Sequence, residues 1–187
     1  MNKLARLAKA KVLIALFLVA IPFNLFFRYR EKTLKDFSKE CTPTLDSNTS
    51  YKSKDAYELF GKLQKGRELY AWTEITVDII FPIIYSFFLS LLIIYIFQRC
   101  FTSKSLHYLA LLPFIAMLFD YGENVLIAFM LFKYPAEYLG LASIASLFTK
   151  LKWSLLLISI LAILVGLACL MIQSDRERGQ TSQPRAS

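Results

Sequence analysis

Four long apolar runs, separated by polar stretches that carry most of the charge, organise the chain. The first, Val12–Phe27, follows a start that holds Lys3, Arg6, Lys9 and Lys11 and no acidic residue. The second, Ile75–Phe97, ends at Gln98-Arg99, and a short turn with Lys104 leads into the third, about Leu106–Phe132. Lys133-Tyr134-Pro135 close that run. The fourth has its apolar centre at Trp153–Ile172, with helical character reaching back to about Leu141. Crossing a bilayer as a helix takes ~20 apolar residues, so each run predicts a span. Val12–Phe27 is short, but Lys11 and Arg28 can extend their charges outward along the helix. No small-x-small cleavage site follows it, so the reading is a retained anchor helix rather than a removed signal peptide.

Between the first two runs, residues 28–70 are polar and of mixed charge, predicting one extramembrane loop. Glu40–Ser50 is rich in turn formers and lacks apolar periodicity. In Ser53–Lys65, Ala56, Leu59 or Phe60, and Leu63 recur at helical spacing, which predicts a short amphipathic helix with Ser53 as N-cap and Gly66 as its stop. Asn48-Thr49-Ser50 fits the N-glycosylation pattern. Gln173–Ser187 is rich in Ser, Gln and Arg and predicts a disordered tail. The expected fold is thus all-α: an integral membrane four-helix bundle in a single domain, 1–172, with spans at about 12–27, 75–97, 106–132 and 141–172. Basic residues concentrate at the start, in the turn between the second and third runs, and in the tail. The long loop adds seven acidic residues to its basic ones. Positive-inside counting over the short segments predicts both termini on the cytoplasmic side.

Composition agrees with the membrane class: 56% of residues are apolar and mean hydropathy is +0.47, against roughly 45–50% apolar in soluble chains. The net charge of +8 flanks the apolar runs, a pattern of orientation and head-group contact rather than nucleic-acid binding. Cys41, Cys100 and Cys169 fall far apart and His107 is the single histidine. This excludes a His/Cys zinc site and a thiol–disulfide enzyme, so no metal or cofactor is expected. His107, Tyr70, Trp72 and Tyr134 read as interfacial contacts, and Pro82 and Pro113 as prolines tolerated in membrane helices.

Candidate chemistry lies in the polar residues inside the spans, where a lipid-exposed charge costs at least ~2.5–3.5 kcal/mol. Glu74, Asp78 and Tyr85 share one helical face at the second span, although Glu74 by itself reads as an exposed residue at the mouth. The segment Phe119–Asn124 (FDYGEN) places Asp120, Glu123 and Asn124 in mid-span with no basic partner on the same helix. In the fourth span Ser143, Ser146, Lys150 and Ser154 form a stripe at spacings of three and four. Asp78, Glu123 and Lys150 fall at similar depth in a four-span topology, which predicts a buried cluster of Asp78, Asp120, Glu123 and Lys150, aided by Asn124 and Tyr85. The competing reading makes Lys150, Lys152 and Trp153 an ordinary interfacial belt.

Three functions suit such a cluster. Paired carboxylates can do acid/base work on a lipid, and a Ser146–Lys150 dyad is geometrically possible, but no protease pattern surrounds these residues. Buried carboxylates also mark proton or ion pathways, although no inverted repeat relates the two halves. The third is non-catalytic binding of an amphiphile, a lipid or a partner's transmembrane helix, with homo-oligomers or a partner membrane protein as further expectations. The layout resembles the EXPERA family, which includes sterol isomerases and the sigma-2 receptor. The likeness rests on Ile21-Pro22 in a short first span, a loop of some forty residues, Glu74 followed by Phe81-Pro82 and Tyr85, and the acidic pair Asp120 and Glu123. It implies a pocket for a sterol-like or other amphiphilic ligand. The first span has no acidic residue and no span has a mid-span histidine, so the isomerase reaction is not implied. Binding without catalysis is the reading the sequence favours.

Overall fold

The computed structural model describes residues 2–38, 44–101 and 103–181, and every regular element among them is helical. In chain order these are α1 (Asn2–Leu7), α2 (Ala10–Ser38), α3 (Ser53–Leu63), α4 (Gly66–Ile75), α5 (Val77–Cys100), α6 (Leu112–Lys133) and α7 (Leu139–Thr181). Two 3-10 segments, Leu45–Ser47 and Lys104–Leu111, fill the turns before α3 and α6. Four helices are long and apolar enough to cross a membrane: α2, α5, the stretch Leu106–Lys133, and α7 as far as Ser174.

The elements run further than the apolar runs that nucleate them. α2 continues through Arg28–Ser38, eleven residues into the stretch expected to be loop, because its buried face continues with Arg30 and Leu34. α7 continues to Thr181, past Gln173, where the sequence predicted a disordered tail to begin. Gln, Arg and Glu propagate a helix readily once the costly nucleus exists. The predicted stop at Gly66 is instead the start of α4. α3 ends at Leu63, and Gln64 takes the positive φ (46°) that turns the chain. Gly66 lies at a close approach: a methyl there would lie 3.1 Å from Cδ2 of Phe37 and 3.2 Å from Cδ2 of Leu34.

Two other departures have proline or threonine behind them. The third apolar run begins as a 3-10 segment, and the α-helix proper starts at Leu112-Pro113, where proline's missing N–H costs nothing. Ser86 and Ser90 of α5 donate to the carbonyls of Pro113 (2.9 Å) and Ala110 (2.6 Å) across that junction. α4 and α5 are separated only by Thr76 (φ −121°, ψ −80°). The hydroxyls of Thr73 and Thr76 bond back to the carbonyls of Leu69 and Trp72, a geometry that bends helices.

Apolar packing falls into two layers. One joins α3 and α4 to Leu34 of α2, Ile127, Met130 and Leu131 of α6, and Ala142 and Ala145 of α7. The other joins Ala8, Leu13, the end of α5, Ala110 and Ile163 of α7. Exposed Ile, Leu, Val and Phe side chains run along the outside of α2, α5, α6 and α7. Between the two layers lies a stratum of charge.

Candidate functional site: a buried ion layer

Two ion-pair networks make up this stratum. In the first, the Arg30 guanidinium, 3% exposed, pairs with Glu74, 0% exposed, at 3.0 Å and lies 3.7 Å from Asp78. Its second amino group reaches the Thr44 hydroxyl at 3.5 Å. The guanidinium also lies over the rings of Phe27 (5.1 Å) and Tyr70 (5.3 Å), which suits a weakly hydrated planar cation. In the second, the Lys152 ammonium bridges Glu123 (2.6 Å) and Asp120 (3.0 Å). The Tyr85 hydroxyl donates to Asp120 at 2.8 Å and the Thr149 hydroxyl to Glu123 at 2.7 Å. Asp120 stands thirteen residues before the end of α6, and Lys152 thirteen after the start of α7. Equal rise along antiparallel helices brings them to one level.

Of the residues the sequence singled out, Asp78, Asp120, Glu123 and Asn124 are buried and Tyr85 joins them. Two expectations are corrected. Lys150 is exposed, and Lys152 is the buried cation of α7. The inward face of α7 is set by the small residues Ala142 and Ala145, followed by Thr149, Lys152 and Ser159, all buried. Lys150 falls off that face. Glu74 is not an exposed residue at the mouth; it is fully buried and paired with Arg30. The serine stripe proves structural, since Ser143 bonds Ser53 (2.7 Å) and Ser146 bonds the backbone of Tyr51. Ser146 is thereby engaged with Tyr51 rather than with Lys150. Tyr51 itself sits over the ion layer, where burial and the Glu123 carboxylate push its phenol above the usual value.

Asn124 has a different task from the carboxylates. Proline cannot donate the helical hydrogen bond to the carbonyl four residues earlier, so Pro82 orphans the Asp78 carbonyl. Asn124 donates to that oxygen at 2.9 Å. Tyr121 donates to the neighbouring Ile79 carbonyl, also at 2.9 Å. Part of the FDYGEN segment therefore repairs the α5 backbone where Pro82 breaks it.

One face of the ion layer opens on a cavity of about 480 Å³. Arg28, Arg30, Glu31, Asp78, Asp120 and Lys152 line one end, and Phe81, Leu89, Trp153, Leu156 and Ile160 line its apolar walls. That volume lies within the ~300–1,000 Å³ of small-molecule sites. Among the described residues no group of His, Cys, Asp and Glu is arranged to hold a metal ion. Cys41 lies outside the described residues; Cys100 and Cys169 are free thiols. No protein-family model, curated protein or solved structure matches this chain.

Proposed function

We propose that the chain is a four-span membrane protein, both termini cytoplasmic, that binds a small amphiphile without chemically changing it. The observation that carries this reading is the cavity: charged at one end, apolar at the other, and bordered by both ion-pair networks. An amphiphile needs both environments at once. Of the residues that carry the resemblance to the EXPERA family, Phe81, Tyr85 and Asp120 line the cavity and Ile21, Pro22, Glu74, Pro82 and Glu123 do not; the ligand class that likeness implies is the same. Catalysis would call for a reactive group held ready. Here both carboxylates of α6 are paired to Lys152 and hydrogen-bonded by hydroxyls, an arrangement suited to fixing geometry.

The test is chemical analysis of what travels with the protein. Full-length protein extracted in mild detergent is expected to carry a near-stoichiometric lipid or lipid-like molecule by mass spectrometry. Leu156→Trp, which fills the apolar wall, is expected to lose it while keeping its helical circular dichroism. Equal lipid content in the two proteins would refute the reading.

A further inference from the structure

The route into the cavity and the sorting of its lining specify the occupant further. α2 and α7 both pack on α5, but among the described residues no extensive packing joins them to each other. The cavity lies in that gap, with α5 and Asp120 of α6 behind it. It therefore opens sideways, toward the side where the exposed apolar residues of α2 and α7 meet lipid. Along the helix axes the charged side chains gather at one end, with Phe27, Phe81 and Trp153 beside them. Arg28, Glu31, Asp78, Asp120 and Lys152 lie at the end nearer α3 and α4. Leu89 of α5 and Ile160 of α7 lie eleven residues beyond Asp78 and eight beyond Lys152, or roughly 12–16 Å deeper at 1.5 Å per residue. A lipid in the leaflet beneath α3 and α4 is oriented the same way, head group at the surface and chains toward the mid-plane.

Charge narrows the head group. The cavity wall carries three carboxylates, Glu31, Asp78 and Asp120, and three cations, Arg28, Arg30 and Lys152. Asp78 and Asp120 are the two of these carboxylates that also belong to the ion-pair networks. A head group that itself carries both charges matches that lining, and one with N–H donors can bond the carboxylate oxygens directly. At the rim stands Arg28, an exposed guanidinium suited to a phosphate. We propose that the α2–α7 cleft admits, laterally from the bilayer, a zwitterionic phospholipid whose primary amine meets Asp78 and Asp120 and whose phosphate meets Arg28. The cavity takes the head group and glycerol, and the acyl chains leave through the gap. This rests on the amphiphile reading above and adds the ligand class and the path.

Native mass spectrometry separates the two claims. The full-length protein is titrated with an equimolar mixture of dioleoyl phosphatidylethanolamine, phosphatidylcholine and phosphatidylglycerol, which share their tails. The ethanolamine lipid is expected to be retained about tenfold over each of the others, the size of one good charge-assisted contact. Asp78→Asn should abolish its advantage over phosphatidylcholine. Arg28→Gln, at an exposed position that leaves the fold undisturbed, should weaken retention of all three lipids. Equal retention by the wild type, or preference for phosphatidylglycerol or phosphatidylcholine, overturns the head-group assignment. The pocket reading then survives only if Leu156→Trp still loses lipid; if that variant retains lipid as the wild type does, both fall together. Undiminished retention by Arg28→Gln removes the phosphate contact.

Discussion

At the scale of single residues, the most informative pair is Lys150 and Lys152. They are two positions apart, yet one is exposed and the other is clamped between two carboxylates. Losing one member of a buried ion pair leaves an uncompensated charge, worth about 3–5 kcal/mol. Lys152→Met should therefore lower unfolding stability in mixed micelles by that amount, whereas Lys150→Met should change it by less than about 0.5 kcal/mol. Removing a charge together with its partner should cost less than removing either alone. Lys152→Met combined with Glu123→Gln is expected to recover part of the loss. Asn124 and Pro82 make a second coupled pair. Asn124→Ala leaves the Asp78 carbonyl buried without its donor, a loss of about 1–3 kcal/mol. In a Pro82→Ala background the helix supplies its own N–H, so the same change should cost clearly less. A double-mutant cycle by equilibrium unfolding measures the difference; additive effects would show that Asn124 does not serve that carbonyl.

At the scale of elements, the four long helices were legible because apolar length is a strong signal, and the carboxylates were legible because charge inside an apolar run stands out. Arg30, Glu74 and Lys152 were missed for one reason: each lies where an apolar run gives way to polar sequence, and there composition reads as interface. Helix phase carries the missing signal. Ala142, Ala145, Thr149, Lys152 and Ser159 recur at spacings of three, four and seven, a seam that assigns Lys152 inward and Lys150 outward. The counterpart of Glu74 could not be read, since Arg30 is forty-four residues away on a helix the sequence seemed to end earlier. The packing of α5 against α7 makes its own prediction. A side chain at Gly166 would run into Ile96 and the Phe97 ring, both buried. Gly166→Leu should force the helices apart and cost about 1–3 kcal/mol, measured as a lower midpoint in thermal unfolding. An unchanged midpoint would mean the two helices are not in close contact there.

At the scale of the whole molecule, a layer of paired charge sits between two apolar layers, and a cavity lined by α2, α5 and α7 opens from it. Two buried networks fix how α2, α4 and α5, and α5, α6 and α7, stand relative to one another, and the cavity follows from that placement. The orientation proposed for the membrane is checked by labelling in intact cells, with the native cysteines replaced by serine. A cysteine at the exposed Lys54 position should react with an impermeant maleimide, and one at the exposed Ser103 position only after permeabilisation. The reverse pattern would invert the protein in the membrane. Most direct of all is an experimental density map of the full chain in lipid nanodiscs, at a resolution that defines side chains. It is expected to show Asp78, Asp120 and Lys152 facing the gap between α2 and α7, with elongated density whose narrow end meets the two carboxylates. A map in which α2 packs flush against α7, or in which those carboxylates face bulk water, would contradict the account.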